Sequence, residues 1–258
     1  MSALAGRGVV VTGAAGGIGR ALARRMVAEG ARVVVNDVDA VGLDAVAEEI
    51  GAVAVPGDAA TEEGAAALVE AAREHLGAVD VWFGNAGVGD NLGLDCPESD
   101  WSLAWDVNVM AHVRAARLLV PEWVERGAGR FVVTASAAGL LTMLGSPAYS
   151  VTKHGAVAFA EWLSATYRHR GVAVHAICPQ GVKTRMYDDA GAFQSLLDHD
   201  ALLQPDDVAE AVVTAIAEDR FLVLPHPRVA DYYAARATTP DRWLDGMNRL
   251  QQGLEVQR

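Results

Sequence analysis

Short apolar runs alternate along this chain with segments in which apolar residues recur at the spacing of a helix. The runs are rich in valine, and nearly every position within them is apolar. Strands have this character when both faces of a parallel sheet are covered. The pattern predicts seven strands, at residues 8–12, 32–36, 53–56, 79–83, 130–136, 173–178 and 221–225.

The segments between these runs predict helices. They cover residues 17–29, 39–49, 62–76, 98–126, 147–170 and 205–218. Alternation of strands and helices implies right-handed crossovers between parallel strands. The sequence therefore predicts an α/β fold: a Rossmann-type, three-layer α/β/α, doubly wound parallel sheet of about seven strands.

Connections between these elements are short, and neither a Pro/Ser-rich boundary nor a fixed-period repeat divides the chain. We therefore expect residues 1–258 to form one domain, with about 226–258 as a C-terminal helical extension. Two irregular stretches, 87–97 and 183–204, are long enough to be functional loops.

Composition excludes several classes of function. The chain is 52% hydrophobic and 21% charged, as in a globular protein rather than a disordered one. Its formal net charge of −12 argues against nucleic acid, because a phosphate-binding surface needs clustered Lys and Arg. No run approaches the roughly 18 apolar residues of a membrane span, and the first residues do not resemble a secretory leader. We therefore expect a cytoplasmic protein that binds neither nucleic acid nor membrane.

Cysteine and histidine usage indicates neither disulfides nor a metal. Cys96 and Cys178 form no CxxC pair, and none of the seven histidines stands at ligand spacing. We expect two reduced, packed thiols and no metal site.

A glycine-rich turn follows the first predicted strand. It reads TGAAGGIG at residues 12–19, and a predicted helix begins within it. Glycines at such a turn let the backbone approach a pyrophosphate, which the free N–H groups and dipole of the helix N-terminus favour. Glycines also serve ordinary strand–helix turns, but this position after the first strand favours a dinucleotide site.

The second predicted strand ends at Asn36, and Asp37 follows it. A carboxylate here accepts hydrogen bonds from the adenosine ribose hydroxyls and repels the 2′-phosphate of NADP. No Arg or Lys lies within residues 14–18 to reverse that preference. The alternative is that Asp37 only caps the next helix. We predict NAD rather than NADP.

Tyr149 and Lys153 stand four residues apart in a predicted helix and therefore share one face. A phenol with a pKa of about 10 is a poor base at neutral pH. A nearby ammonium and the positive nicotinamide ring of NAD⁺ both favour the phenolate. The pair suits proton transfer at an alcohol oxygen, although this spacing alone occurs often by chance.

Ser136 ends the fifth predicted strand and lies at the sheet edge where doubly wound folds bind ligands. Its hydroxyl is placed to hydrogen-bond a substrate oxygen near Tyr149. The alternative is a hydroxyl that caps a loop. A serine hydrolase is excluded, because no GxSxG sequence surrounds Ser136.

These motifs together resemble the short-chain dehydrogenase/reductase family, in its single-domain branch that uses NAD. The resemblance extends to about residue 225. It rests on TGAAGGIG at 12–19, Asp37, Asp58, Asn85-Ala86-Gly87, Asn108, Ser136, Tyr149 with Lys153, and PQGVKT at 179–184.

The resemblance implies four catalytic residues. Tyr149 is implied as the acid/base, and Lys153 as the group that lowers its pKa and holds the nicotinamide ribose. Ser136 is implied to orient the carbonyl. Asn108 is implied to hold a water that links Lys153 to solvent, although by itself Asn108 better fits a structural residue that bends a helix.

The resemblance also implies the lining of the cofactor cleft. Asp58 is implied at the adenine amine, and Val182 and Thr184 at the nicotinamide carboxamide. The full implied set is Gly13, Gly17, Ile18, Gly19, Asp37, Asp58, Ala59, Asn85, Ala86, Gly87, Tyr149, Lys153, Pro179, Gly181, Val182 and Thr184.

Two positions depart from the family pattern. The family usually has glycine where this chain has Gln180, which either contacts substrate or fills a loop. The family often has asparagine where this chain has Gly84, and we expect one hydrogen-bond link between strands to be looser there.

The expected walls of the substrate pocket are mainly apolar. We predict contacts from Leu94, Met143, Gln180, Met186 and Tyr187, and a hydrophobic secondary alcohol or ketone as substrate. We expect the walls to come from residues 87–94, 139–147 and 183–197. The other apolar residues of these three segments are Leu92, Leu141, Leu144, Phe193 and Leu196.

The two longest predicted helices are rich in aromatic residues, which indicates more than one buried face. The corresponding helices form a two-fold interface in the family, so we expect a homotetramer. Two other functions stay open: an NADPH-dependent biosynthetic ketoreductase, and a non-catalytic NAD(H)-sensing or scaffold protein. Asp37 argues against the first, and the intact catalytic set argues against the second.

Overall fold

The structure is a computed structural model that describes residues 4–89, 92–197 and 200–256. Its described strands are all parallel and form one seven-stranded sheet in the order β3-β2-β1-β4-β5-β6-β7. The predicted doubly wound α/β fold is confirmed. The strands are β1 (Gly8–Thr12), β2 (Arg32–Asn36), β3 (Val53–Ala54), β4 (Val81–Gly84), β5 (Gly129–Thr134), β6 (Val172–Ile177) and β7 (Leu222–Val223).

Helices cover both faces of this sheet. The described helices are α1 (Gly17–Ala28), α2 (Ala40–Ile50), α3 (Glu62–Leu76), α4 (Glu98–Trp105), α5 (Ala111–Arg126), α6 (Ala138–Leu141), α7 (Pro147–Tyr167), α8 (Arg185–Asp188), α9 (Gln194–Leu197), α10 (Pro205–Ala217), α11 (Arg228–Thr238) and α12 (Pro240–Val256). Short 3₁₀ turns occupy Gly93–Asp95, Arg168–Arg170 and Gly191–Phe193.

The continuous apolar character of the strands follows from these two layers. Val9 and Val11 pack into the cluster formed with α1, α2 and α10. Val10, Trp82 and Phe131 pack on the opposite face, with α3, α5 and α7. Because alternate strand residues point to opposite faces, a sheet covered on both sides requires apolar residues at nearly every position.

One predicted helix is interrupted. The segment predicted at 98–126 consists of α4, a π-helical turn at Asp106–Met110, and α5. A π-helical turn holds one more residue than an α-helical turn and occurs frequently at functional sites. Here it contains Asn108, whose side chain bonds outside its own helix.

Five of the seven predicted strands have bounds that differ from those observed, and two of these differences coincide with particular hydrogen bonds. The strand predicted at 79–83 begins at Val81, and the carbonyl of Val79 before it accepts the Trp123 indole N–H at 2.7 Å. The strand predicted at 130–136 ends at Thr134, because the chain turns there and Ala135 N–H donates to the Val133 carbonyl.

Beyond β7 the chain forms α11 and α12. The helix α11 packs against α6 and α12. Tyr232 and Trp243 lie against the same hydrophobic cluster as α5. In the part of the chain that the structure describes, no helix combines the length and apolar character needed to cross a bilayer.

Candidate active site

The predicted site residues gather at the C-terminal edge of the sheet. Asn85, Ser136 and Pro179 follow β4, β5 and β6, and the glycine turn with Gly13 follows β1. Strand order reverses between β1 and β4, because the chain crosses from β3 at one edge to β4 beside β1. Open α/β sheets bind ligands in the crevice at this switch point.

The glycine turn is shaped by close backbone approaches. Gly13 and Gly17 have positive φ values of 63° and 52°. A Cβ on Gly19 would lie 2.0 Å from the Gly13 carbonyl oxygen and 2.6 Å from Asn85 Nδ2, so no side chain fits there. Gly16, by contrast, has nothing within 4 Å of a built Cβ.

The N-terminus of α1 is suited to an anion. No side chain caps the helix at Gly16, and its first turn carries no acidic residue. The free N–H groups and the helix dipole therefore face the open side of the turn. These observations fit the pyrophosphate of a dinucleotide, with the glycines as the backbone cradle.

Asp37 is fixed against this turn. Its Oδ2 accepts the Ala15 backbone N–H at 3.0 Å, and its Oδ1 accepts the Asp39 N–H at 3.1 Å. The N-cap of α2 is Asp39, whose carboxylate accepts the Gly42 N–H. Helix capping is therefore the role of Asp39, and Asp37 holds its carboxylate at the expected ribose side of the turn.

Thr12 joins the two strands that frame the crevice. Its hydroxyl accepts the N–H groups of Asn85 at 2.9 Å and Ala86 at 3.1 Å. Asn85 Nδ2 returns hydrogen bonds to the carbonyls of Thr12 and Gly13. Thr12 was not among the predicted site residues, although its place at the end of β1 and the start of the glycine motif marks it.

Ser136, Tyr149 and Lys153 converge at the ends of β5 and α7. Lys153 is buried and donates from Nζ to the Thr134 carbonyl at 2.8 Å. Its Nζ lies 5.6 Å from the centre of the Tyr149 ring. Ser136 hydrogen-bonds Tyr149 through their side chains and accepts the Ala138 N–H at 3.1 Å.

Burial acts on the ionisation of both groups in opposite directions. Burial raises the pKa of Tyr149, and the hydrogen bond from Ser136 works against that rise. Burial lowers the pKa of Lys153 from 10.5 to about 8. The sequence predicted the charge effect of the ammonium but not the desolvation of the phenol, which dominates in the protein alone.

Asn108 ties the π-helical turn to two other elements. Its Oδ1 accepts the Val88 N–H at 3.0 Å, and its Nδ2 donates to the Val88 carbonyl at 2.9 Å. Nδ2 also donates to Thr152 Oγ1 at 3.0 Å, on α7 beside Lys153. A Cβ on Gly87 would lie 3.2 Å from Lys153 Nζ and 3.3 Å from Asn108 Oδ1.

The chain after β6 spans the crevice from Ser136 to the glycine turn. The Pro179 carbonyl accepts the Ala137 N–H at 2.8 Å. Thr184 Oγ1 donates to the Val182 carbonyl at 3.2 Å. Thr184 Cγ2 lies 3.1 Å from a Cβ built on Gly17. Residues 179–184 therefore connect the neighbourhood of Ser136 with the glycine turn.

The remaining predicted cofactor residues differ in their exposure. Asp58 is exposed and accepts the Ala60 N–H, and Ala59 beside it is buried. Ile18 is partly buried in α1. Gly181 leaves no room for a side chain, because a Cβ there would lie 2.5 Å from the Leu197 carbonyl oxygen.

The predicted substrate residues divide into two groups. Met186 Sδ and the Tyr149 ring lie 3.9 Å and 3.6 Å from a Cβ built on Gly89, so these three positions surround one space. Tyr187 is buried, and Met143 is held through backbone bonds to Ser150 Oγ.

Two predictions about the pocket wall need revision or detail. Leu94 is fully exposed in the 3₁₀ turn Gly93–Asp95, so this placement does not support a position in the pocket wall. Gln180 is partly buried, and its Oε1 is enclosed without a hydrogen-bond partner among the described residues. Its backbone N–H donates to His226 Nδ1 at 3.1 Å, a contact that the sequence did not predict.

The sheet, the glycine turn and the Ser136–Tyr149–Lys153 arrangement define a doubly wound α/β oxidoreductase. The family model described as short chain dehydrogenase matches residues 7–195. The chain therefore belongs to the short-chain dehydrogenase/reductase family, which confirms the predicted resemblance.

Named relatives share most of the chain. It is 38% identical over 224 residues to 1-deoxy-11-beta-hydroxypentalenate dehydrogenase of Streptomyces exfoliatus, covering 83% of this chain and 81% of that one.

Solved structures of short-chain dehydrogenases share this fold. A short chain dehydrogenase/reductase from Burkholderia phymatum in complex with NAD has a TM-score of 0.86 at 30% identity, covering 93% of this chain and 96% of that one. A 7 alpha-hydroxysteroid dehydrogenase complexed with NADH and 7-oxo glycochenodeoxycholic acid has a TM-score of 0.79 at 27% identity, with 86% and 93% covered.

Proposed function

We propose that this protein is an NAD(H)-dependent dehydrogenase that interconverts a hydrophobic secondary alcohol and its ketone. The observation that carries the proposal is the convergence of Ser136, Tyr149 and Lys153 beside a crevice that begins at a glycine turn. A protein that only sensed the cofactor has no use for a buried phenol next to a buried ammonium.

In this proposal the chain's own groups handle the proton at the substrate oxygen. Tyr149 takes the alcohol proton during oxidation and returns it during reduction. Ser136 donates a hydrogen bond to the same oxygen and holds the carbon toward residues 179–184. When bound, the nicotinamide supplies the hydride acceptor or donor.

Lys153 and Asn108 support this proton transfer. The Lys153 ammonium is held by the Thr134 carbonyl with its Nζ 5.6 Å from the centre of the Tyr149 ring, and we propose that its positive charge favours the phenolate. Asn108 fixes Val88 and Thr152, and through them the positions of the crevice wall and of α7. We propose that a water beside Asn108 links Lys153 to solvent.

NAD is proposed over NADP on the basis of Asp37. Its carboxylate is held by Ala15 at the edge of the glycine turn, where a 2′-phosphate would lie. Two such charges about 4 Å apart repel by about 4 kcal/mol at an effective dielectric of 20, and by less with screening. The relatives solved with NAD or NADH support this choice.

An apolar substrate is proposed from the space between Gly89, Tyr149 and Met186. One matched protein is named for 1-deoxy-11-beta-hydroxypentalenate, and another was solved with 7-oxo glycochenodeoxycholic acid. We propose a secondary alcohol of comparable bulk.

An interface between copies is proposed at α4 and α7, which contact each other, and the homotetramer that we propose needs a second interface besides this one. Leu103, Trp105, Val151 and Trp162 are 46–55% exposed there, although each is large and apolar. Apolar clusters of this kind mark interfaces between chains. Light scattering at micromolar concentration tests the homotetramer, and a monomer or dimer mass would contradict it.

The function is tested by following NADH formation with NAD⁺ and a panel of aliphatic, cyclic, aromatic and steroid secondary alcohols. Tyr149→Phe is expected to lower turnover about 10²–10⁴-fold while keeping its NADH affinity. Tyr233→Phe is the matched control and should retain full activity, because the Tyr233 side chain is exposed on α11. Tight NADH binding with a silent panel in both directions would favour a sensor instead.

A further inference from the structure

His226 joins three parts of the chain around the active site. It is buried in the turn between β7 and α11. Its Nδ1 accepts the Gln180 backbone N–H at 3.1 Å, and its Nε2 pairs with the Ala201 carbonyl at 3.1 Å. Because a carbonyl only accepts, the imidazole carries its proton on Nε2 and leaves Nδ1 free to accept.

Gln180, which is bonded to His226, is connected to Ser136 through the residue before it, Pro179. Pro179 accepts the Ala137 N–H at 2.8 Å, directly after Ser136. The position of residues 179–180 thus sets the distance between Ser136 and the chain that leads to Val182 and Thr184.

Ala201, the other partner of His226, belongs to a short segment that pairs with residues 181–183. Leu203 N–H donates to the Gly181 carbonyl at 3.1 Å, and Lys183 N–H donates to the Leu203 carbonyl at 2.8 Å. His226 therefore fixes both partners of this pairing, one through Gln180 and the other through Ala201.

The helix α11 anchors the arrangement from outside. Arg228 and Tyr232 both donate to Asp200 Oδ1, at 2.7 Å and 3.0 Å, and the Asp200 side chain is only 7% exposed. On the other side of the crevice, Arg236 donates to the Leu140 carbonyl and contacts His154, which follows Lys153 on α7. One helix of the C-terminal extension thus holds both walls.

We propose that His226 is a positioning residue for the cofactor site, through which the C-terminal extension holds residues 179–184 in place against the bound dinucleotide. The proposal rests on the proposed function for the identity of the ligand. It gives the extension a role in cofactor affinity, beyond covering the core.

Two amide substitutions separate the two bonds of the imidazole. His226→Asn places an acceptor near the position of Nδ1, so the bond from the Gln180 N–H is kept and the bond to Ala201 is lost. His226→Gln places a donor near the position of Nε2, so the bond to Ala201 is kept and the bond from Gln180 is lost. NADH affinity, followed by fluorescence, is measured for the full chain and both variants beside their melting temperatures.

His226→Gln is expected to weaken NADH binding by about 5–10-fold, the equivalent of about one hydrogen bond. His226→Asn is expected to stay within about 3-fold of the parent, so that rescue follows the Gln180 bond. An unchanged NADH affinity in His226→Gln, or equal losses that follow the melting temperatures of the two variants, would overturn the proposal.

The same variants separate this proposal from the proposed function, because NADH binding requires no turnover. If the alcohol panel is silent while His226→Gln weakens NADH binding, the function fails and the positioning role stands. If alcohols are oxidised and His226→Gln binds NADH as the parent does, the positioning role fails alone.

Discussion

Gly84 and His112 occupy one space at the end of β4: a Cβ built on Gly84 would lie 2.5 Å from His112 Nδ1 and 2.8 Å from its Cε1. The His112 ring is fully buried and packs edge-on against Phe131 at 6.5 Å. This explains the departure from the family pattern at Gly84, since an asparagine side chain does not fit beside the imidazole.

The pairing predicts strong coupling between the two positions. Gly84→Ala is expected to cost about 2 kcal/mol of unfolding free energy, because a buried ring must move to admit the methyl. In a His112→Ala background the same change should cost under about 0.5 kcal/mol. Urea unfolding of the four proteins gives the coupling energy, and additive effects would contradict the shared space.

His112 also predicts a loss of stability in acid. Burial, with a smaller effect of Lys153, lowers its pKa from 6.5 to about 3. Below pH 6.5 the unfolded chain therefore binds a proton that the folded chain excludes, and stability falls as pH falls toward 3. The loss attributable to His112 is about 3 kcal/mol between pH 6.5 and pH 4.

Unfolding of His112→Leu across this range provides the comparison. Its stability should depend less steeply on pH than that of the parent, although His175, whose pKa is lowered by burial to about 4, contributes to both curves. Parallel curves would show that His112 does not titrate as its burial requires.

Thr152 is expected to matter through its hydroxyl rather than its shape. Its Oγ1 accepts from Asn108 at 3.0 Å and donates to the Ala148 carbonyl at 2.8 Å. Thr152→Val keeps the shape but leaves a buried amide N–H of Asn108 unpaired, at a cost of about 1–3 kcal/mol. Thr152→Ser keeps the hydroxyl and should cost less. Thermal unfolding of both variants decides, and a larger loss in the serine variant would point to packing instead.

The glycine turn supplies a matched pair of variants. Gly19→Ala should unfold the turn or cost more than about 3 kcal/mol, because its methyl would meet the Gly13 carbonyl oxygen at 2.0 Å. Gly16→Ala should change stability by less than about 0.5 kcal/mol, since its methyl would point into open space. Circular dichroism melts compare the two, and equal melting temperatures would refute this account.

Asp37 and Asp39 provide a similar test of cofactor choice. Asp37→Ser should lower the ratio of NAD to NADP affinity by at least about 10-fold, because the repulsion of a 2′-phosphate is removed. Asp39→Ser should leave that ratio unchanged, since Asp39 caps α2. Titration of both cofactors measures it, and equal ratios in the two variants would show that Asp37 does not select the nucleotide.

Much of this architecture was predictable because it is encoded locally. The β1 strand, the glycine turn and the start of α1 follow one another within a short stretch. Their order alone therefore predicts a dinucleotide site at the end of β1. The Tyr149–Lys153 pair shares a helix face for the same reason.

The unpredicted features depend on contacts between distant segments. Three of them join residues far apart in sequence: the close approach of Gly84 and His112, the hydrogen bond from Gln180 to His226, and the hydrogen bonds from α11 to Asp200. The exposure of Leu94 was likewise not predictable, because the course of a loop depends on what it packs against.

The π-helical turn at Asp106–Met110 fixes the length of the chain in this region. Each residue of an α-helix advances the side-chain direction by about 100°. Deleting one residue here would restore a regular helix but rotate Asn108 away from Val88 or α5 away from the sheet. The extra residue therefore sets the rotation of α5 relative to Asn108. With it, the Asn108 amide faces the active site while the apolar side of α5 faces the sheet.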